Sequence, residues 1–168
     1  MSRVTLRQLY FVRSGFALAW AVLLFLTGAD LNPVSIALLV LYPLFDVGAA
    51  IVDLRVNGSS PTLWANVAVS TLTAAGLAVA VTSGIPAVLG VWGAWAIAAG
   101  AIQLAVGLGR RALGGQWPMI ISGGQSVLVG GTFLLQLGAE NPMLTTLSGY
   151  ALLGGVYFLI SAFRLKRS

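Results

Sequence analysis

The chain has 168 residues, of which 58% are hydrophobic and 8% are charged, and its formal net charge is +5. Soluble domains carry about 25% charged residues, so a water-soluble fold of this length could not cover so much apolar surface. The sequence contains no cysteine and no histidine, which excludes disulfides, thiolate metal sites and the usual proton shuttle near neutral pH. Composition therefore predicts a protein whose solvent is lipid.

Six apolar segments follow one another along the chain, each of about 20 residues. A helix of that length crosses a hydrocarbon core of about 30 Å, because each residue adds 1.5 Å. Short breaks rich in glycine, proline, asparagine and serine separate the segments, so neighbouring helices must be antiparallel. We predict an all-α polytopic membrane protein with one transmembrane domain over residues 1–168. The predicted spans are 9–28, 34–54, 62–82, 85–107, 118–138 and 143–163.

The basic residues all fall on one side of the predicted topology. When the sides alternate from helix to helix, all 9 Lys and Arg residues lie together, with Arg13 slightly inside the bilayer, and Asp30 and Glu140 lie opposite. The positive-inside rule then predicts a cytoplasmic (inner) membrane protein with both termini cytoplasmic. The basic side suits anionic lipid headgroups, and no nucleic-acid partner is expected. The nine residues are Arg3, Arg7, Arg13, Arg55, Arg110, Arg111, Arg164, Lys166 and Arg167.

The six segments predict three similar helical hairpins, at approximately 9–55, 62–111 and 118–164. A proline opens each even-numbered segment, an aromatic residue follows, and an arginine closes the hairpin. The residues are Pro33, Tyr42 and Arg55; Pro86, Trp95 and Arg110; and Pro142, Tyr150 and Arg164. The pattern predicts duplication and a pseudo-symmetric bundle. Successive hairpins share one orientation, so they are not the inverted repeats of many transporters.

With this hairpin pattern the chain resembles the HdeD-like acid-resistance membrane proteins. The matching stretches are RSGFALAWAVLLFLTG, then YPLFDVG preceded by a proline and eight further residues, and YALLGG preceded by a proline and seven further residues. The resemblance covers nearly the whole chain. It implies a six-helix inner-membrane protein linked to acid stress, with no established catalytic residues to carry over. The pattern of Tyr42, Asp46 and Gly48 looks like the family's aromatic-acid-glycine signature. Ala99 and Gly154 stand in the place of Asp46 in the other two hairpins.

Polar and small residues recur at spacings of three, four or seven along the predicted helices, which places each set on one face. Two interpretations stay open. The sets could be contacts between helices, with hydrogen bonds of about 0.6–2 kcal/mol each, or they could form a polar pathway through the bundle. Gly90, Ala94 and Ala98 form a further ridge of small residues. The sets include Asn66, Ser70 and Thr73; Gly100, Gln103 and Gly107; Ser122, Gln125, Thr132 and Gln136; and Tyr150, Gly154, Tyr157 and Ser161, with Gln103, Gln125 and Tyr150 as the candidate polar stripe.

Asp46 lies inside the second span, nine residues before Arg55 and therefore about 13 Å along the helix from that end. An aspartate near the bilayer midplane costs roughly 2.5–3.5 kcal/mol on insertion scales. Three features would offset this cost. Arg13 in the first span lies at a similar depth, Pro43 would kink the helix and place Asp46 in the first turn of a half-helix, and the carboxyl group could be protonated.

We predict an Arg13–Asp46 ion pair, and we take Asp46, Arg13 and Tyr42 as the candidate intramembrane polar site. In the structural interpretation the pair is a fixed contact between helices, and in the functional one Asp46 accepts a proton. Asp53 lies two residues from Arg55 near the interface, and we expect it to be a solvated or snorkelling charge.

The sequence predicts no catalytic residue, no cofactor and no metal site. The expected function is therefore a non-enzymatic role in acid-stress or membrane physiology, as the resemblance implies. One alternative is a small channel or proton-coupled transporter that uses Asp46. Another is a structural subunit that binds a second membrane protein, or another copy of itself, through the ridge at Gly90, Ala94 and Ala98.

Overall fold

The computed structural model describes residues 5–165, which form a bundle of helices. All six predicted spans are present as helices that are long and apolar enough to cross a membrane. Three residues used in the charge argument, Arg3, Lys166 and Arg167, lie outside the described residues. The helices are α1 (Leu6–Thr27), α2 (Pro33–Asn57), α3 (Pro61–Ala80), α4 (Ile85–Gly109), α5 (Trp117–Leu135) and α6 (Thr146–Arg164).

Local sequence sets the beginning of the first three helices. Thr5 and Asn32 cap α1 and α2, and each side chain accepts hydrogen bonds from backbone N–H groups of the first turn. Ser60 caps α3 in the same way. Pro33 and Pro61 follow directly at the first helical position, where the N–H that proline lacks would have no partner in the helix.

The sixth helix begins later than the sequence predicts. Pro33 and Pro86 lie in the first turns of α2 and α4, as expected, but Pro142 lies outside α6. The residues between Pro142 and α6 form a turn that is tighter than an α-helical turn, because the Leu147 N–H donates to the carbonyl three residues earlier, that of Leu144, at 2.9 Å. This turn carries the Leu144 side chain into the core, where it is fully buried. The prediction that Pro142 opens the sixth helix was therefore wrong.

The six helices form a closed ring, because each packs against its neighbours in the chain and α1 packs against α6. The closest pairs are α4 with α5 and α1 with α6, and each pair joins two different predicted hairpins. The two helices of a predicted hairpin are therefore not packed more closely with each other than with other helices, and the threefold repeat stays a prediction. We call the end where α2, α4 and α6 finish the basic end. The arginines near it in the described chain are Arg7, Arg13, Arg55, Arg110, Arg111 and Arg164.

Glycines allow the close approach of α4 and α5. A Cβ atom added at Gly100 would lie 2.8 Å from the Gly123 carbonyl oxygen, and one added at Gly123 would lie 2.7 Å from the Gly100 carbonyl oxygen. Gly93 and Gly130 meet in the same way, seven residues before Gly100 on α4 and seven residues after Gly123 on α5. A spacing of seven returns to the same helix face, so the two backbones touch at two successive levels. We call these four residues the glycine seam.

Two hydrophobic clusters close the interior at different depths. The larger lies in the half of the bundle away from the basic end and is rich in aromatic rings. Its centre is Trp92, whose ring centroid lies 5.4 Å from those of Trp20 and Tyr42 and 5.0 Å from that of Trp95. The smaller cluster lies near the basic end and includes Tyr10 and residues of α5 and α6.

Candidate functional site

A cavity of about 210 Å³ lies inside the ring and is lined by residues from all six helices. Protein interiors are normally filled to the density of organic crystals, so a cavity of this size needs an explanation. Every candidate site residue from the sequence lies in its wall. These residues are Asp46, Arg13, Tyr42, Gln103, Gln125 and Tyr150.

The Asp46 carboxylate accepts three hydrogen bonds. Arg13 donates to one oxygen and forms the predicted ion pair, and Asn66 and Ser70 each donate to the other oxygen at 2.7 Å. The residue is 5% exposed. A buried charge is tolerated when it is paired and its remaining lone pairs are satisfied, and this carboxylate meets both conditions. We call these four residues the Asp46 cluster.

Other helices hold the members of the Asp46 cluster in position. The Trp95 indole donates to the Ser70 hydroxyl at 3.0 Å, so this hydroxyl accepts from α4 while it donates to Asp46. The Arg13 guanidinium carbon lies 4.5 Å from the centre of the Phe158 ring on α6, within the range of a cation–π contact. Arg13 is predicted from its depth in the first span, whereas the polar face of α3 carries no sequence signal that connects it with Asp46.

The half-helix predicted at Pro43 is absent from α2. The helix is continuous from Pro33 to Asn57, with Pro43 buried inside it. Asp46 therefore does not lie at a helix start, and the expected stabilisation by a positive helix terminus was wrong. Donors on neighbouring helices satisfy the carboxylate instead.

Asp53 forms a second buried ion pair and is not the solvated charge that the sequence predicts. It is 5% exposed, and Arg110 donates to both of its oxygens at 2.8 Å, while Asn57 donates a third bond at 2.8 Å. Burial alone would lower the pKa of Arg110, but its hydrogen bonds with Asp53 and the charge of Asp53 more than offset this, so the pKa is raised. The prediction failed because it considered only Arg55, the neighbour along the chain, whereas α2 and α4 end side by side.

The wall formed by α5 and α6 is uncharged. The Tyr157 hydroxyl donates to the Gln125 side chain at 2.7 Å, and the Tyr150 hydroxyl donates to Ser126 at 3.1 Å. All four residues line the cavity. The predicted polar faces of α5 and α6 thus make contacts between helices and also border the cavity. Interhelical contact and a polar pathway, the two interpretations of these faces, each describe part of the arrangement.

The predicted polar faces of α4 and α5 differ in how much of them reaches the cavity. Gln103 lines it and donates to the Met119 carbonyl at 3.1 Å. Thr132, by contrast, is exposed on the outer surface and donates to the Val129 carbonyl of its own helix at 2.7 Å. Helical spacing identifies residues that share a face, but only packing decides which part of that face turns inward.

Positions that the repeat pattern aligns also meet at the cavity. Trp95 and Tyr150 line it, as does Tyr42, their counterpart on α2. Ala99 and Gly154, which stand in the place of Asp46, line it as well. Of these three equivalent positions only the one on α2 carries an acid, so the ion pair with Arg13 has no counterpart at the other two.

The cavity wall carries no net formal charge. Among residues 5–165 its charged side chains are Arg13, Asp46, Asp53 and Arg110, and they form two ion pairs. The remaining polar groups are hydroxyls, amides and the Trp95 indole N–H. The arrangement can therefore hydrogen-bond a small guest, but it offers no unpaired charge to a charged one.

Comparisons of the chain with models of protein families, with curated proteins and with solved structures find no match. The resemblance to the HdeD-like proteins therefore stays a prediction from the sequence pattern.

Proposed function

We propose that the protein is a non-enzymatic integral membrane protein of the transporter class, whose cavity binds a small uncharged molecule inside the bilayer. The observation that supports this most strongly is the cavity itself, which all six helices line. Ionisable residues within membrane helices usually face such cavities and mark substrate sites. Substrate sites of membrane transporters also lie near the midplane.

The volume and the charge of the cavity limit what it binds. About 210 Å³ is below the range of roughly 300–1,000 Å³ that holds drug-sized ligands, so the guest is small. Because both arginines and both aspartates are already paired, a charged guest would lose water without gaining a counter-charge. The hydroxyl and amide groups on α5 and α6 favour a guest with a hydrogen-bonding group.

In this proposal the basic end faces the cytoplasm of an inner-membrane protein, with both chain termini on that side. The arginines at this end support the orientation through the positive-inside rule, and they suit contact with anionic lipid headgroups. Fusing a reporter of cytoplasmic location to either terminus checks the orientation.

Photolabelling tests the binding of a guest. The probe is hexanol carrying a diazirine, a small uncharged alcohol, and the attachment sites are mapped by mass spectrometry of the purified protein in lipid nanodiscs. We expect saturable attachment to cavity residues, among them Tyr150 and Tyr157. The Gly154→Leu variant should lose this labelling, because its added side chain enters the cavity and its Cβ meets no atom within 4 Å, so the backbone need not move.

The matched control is Gly131→Leu on α5. A Cβ atom added there also meets no atom within 4 Å, but the residue is not part of the cavity wall. It should keep the labelling of the original chain. Labelling confined to the outer surface of the helices, or equal cavity labelling in both variants, would contradict the proposed function.

The acid-stress role is the second candidate, and it rests on the sequence resemblance together with the position of Asp46 in the cavity wall. A proton-coupled form of transport would use this carboxylate. A pH-sensitive dye inside liposomes measures proton entry, which Asp46→Asn should abolish. Unchanged proton entry in the variant would remove Asp46 from this role.

Docking of a second membrane protein, or of another copy of the chain, remains the alternative proposal for the predicted ridge. Gly90 packs against Leu137 of the same chain, since an added Cβ would lie 3.0 Å from that side chain, whereas Ala94 is exposed. A bulky replacement at Ala94 should then disrupt copurification of the partner.

A further inference from the structure

We infer that the guest enters the cavity sideways from the lipid, between α5 and α6, and is therefore an uncharged amphiphile that partitions into the bilayer. This inference rests on the proposed function and adds the route of entry and the class of ligand. Four observations on the described residues support it.

The first observation is where the cavity wall reaches the outer surface. Among the lining residues, the exposed ones are Gly149 and Leu153, which lie one turn apart on α6. Leu153 is 45% exposed on the apolar, lipid-facing side of the helix. We call these two residues the portal.

The second observation is the packing beside the portal. The α5–α6 pair is packed less closely than α4–α5 or α1–α6, and as loosely as α1–α2, which the Arg13–Asp46 ion pair joins. At Gly149 an added Cβ atom meets nothing within 4 Å, as at Gly154 further inside, whereas the same atom at Gly100 or Gly123 collides with the neighbouring helix. The α5–α6 contact is therefore less close than the α4–α5 contact, in which two pairs of glycine backbones touch.

The third observation is that side chains held by ion pairs, hydrogen bonds or close packing lie at both ends of the cavity, all buried except the half-buried Arg110. At the basic end Arg110 is paired with Asp53, and the Tyr10 hydroxyl donates to Gln116 at 3.3 Å. At the opposite end lies the aromatic cluster around the fully buried Trp92. A guest arriving from water at either end would have to displace these groups, whereas the portal is bordered by a glycine and a leucine.

The fourth observation is the order of chemical groups along the route. The portal presents hydrogen and methyl groups to the lipid, and the hydroxyls of Tyr150 and Tyr157 and the amide of Gln125 lie further inside. An amphiphile would keep its apolar part toward the portal while its polar group reaches these side chains. A water-soluble polyol or an ion would gain nothing from crossing the lipid first.

Substituted-cysteine accessibility tests the route, because the natural chain has no cysteine. Ser122→Cys places one thiol in the cavity wall with little change of volume. Two reagents are compared in proteoliposomes: neutral ethyl methanethiosulfonate, which dissolves in lipid, and the charged sulfonatoethyl analogue, present on both sides of the membrane. We expect the neutral reagent to modify the cavity thiol about tenfold faster or more, a ratio equivalent to about 1.4 kcal/mol.

Adding Gly149→Leu to Ser122→Cys should slow modification by the neutral reagent about tenfold, again equivalent to about 1.4 kcal/mol, because leucine fills the portal. Adding Gly131→Leu, the matched change on the lipid-facing side of α5, should leave the rate unchanged. The reference thiol is Leu128→Cys, whose position on α5 is 74% exposed, and it reports how fast a lipid-facing thiol reacts. Circular dichroism and gel filtration confirm that each variant is folded.

Three results would overturn lateral entry: equal rates for the two reagents, which means a water route; equal rates with and without Gly149→Leu; or an unreactive cavity thiol beside a reactive reference thiol. Failure of the proposed function has a different signature. In that case the diazirine alcohol gives no saturable cavity labelling in the original chain, whatever the thiol rates are.

Discussion

The two sides of the cavity are built on different principles. On one side, α2 and α3 are held together and to α1 by the Asp46 cluster, in which Arg13, Asn66 and Ser70 all donate to one buried carboxylate. On the other side, α5 and α6 are linked across the cavity by two tyrosine hydroxyls, from Tyr150 and Tyr157, with no charge. We call these the charged wall and the neutral wall.

The difference shows how one helical bundle can be held firmly on one side of its cavity and loosely on the other. Separating the helices of the charged wall would expose an unpaired charge to lipid, which costs several kcal/mol. Separating α5 from α6 breaks two hydrogen bonds, each worth only about 0.6 kcal/mol on average within a membrane. Low-stability regions are those that open, so the neutral wall is the side on which the proposed guest would pass.

The largest expected effect is at the charged wall. Asp46→Ala removes the carboxylate and leaves the Arg13 guanidinium in the bundle without its partner, so the free energy of unfolding should fall by about 3–5 kcal/mol. Unfolding of the purified protein by increasing fractions of sodium dodecyl sulfate measures this change. Asp30→Ala is the control, since Asp30 is exposed and its loss should change stability by less than about 0.5 kcal/mol. Similar small losses in both variants would mean that the Asp46 cluster does not hold the charged wall.

An intermediate effect is expected where α5 contacts α4. Gly123→Ala forces a methyl group to within 2.7 Å of the Gly100 carbonyl oxygen, and such overpacking typically costs about 1–3 kcal/mol. The neighbouring variant Gly124→Ala meets no atom within 4 Å and should be neutral or stabilising by about 0.5–1 kcal/mol, because alanine is the better helix former. The same detergent titration compares them. Equal stabilities would show that the glycine seam is not closely packed in the membrane.

The smallest expected effect is at the neutral wall. Tyr157→Phe deletes the hydroxyl that donates to Gln125 and should lower the free energy of unfolding by only about 0.6 kcal/mol. It should also speed modification of Ser122→Cys by the neutral reagent, because α5 and α6 separate more easily. Tyr10→Phe removes a hydroxyl at the basic end and should leave that rate unchanged. A large loss of stability with an unchanged rate would place Tyr157 among the rigid contacts instead.

Sequence reasoning was successful where a property depends on depth or on local pattern. Hydropathy and turn residues located all six helices. The Arg13–Asp46 pair was found by matching depths in the first two helices. The depth of each side chain follows from its distance in residues from the helix end and the rise of 1.5 Å per residue. Sequence reasoning failed for Asp53, whose partner Arg110 is far away in the chain although the topology places both at the basic end.

By itself the sequence determined that the protein is an all-helical membrane bundle with its basic residues gathered at one end, because the length of each apolar segment and the position of each charge can be read directly along the chain. Only the tertiary structure decided which faces meet. Both the glycine seam, of which the predicted polar faces contained Gly100 but not its three partners, and the joining of Asn66 and Ser70 to Asp46 depend on the rotation of one helix against another. That rotation is set by side-chain packing across the whole ring, and the same packing leaves a cavity inside the ring and a loose contact between α5 and α6.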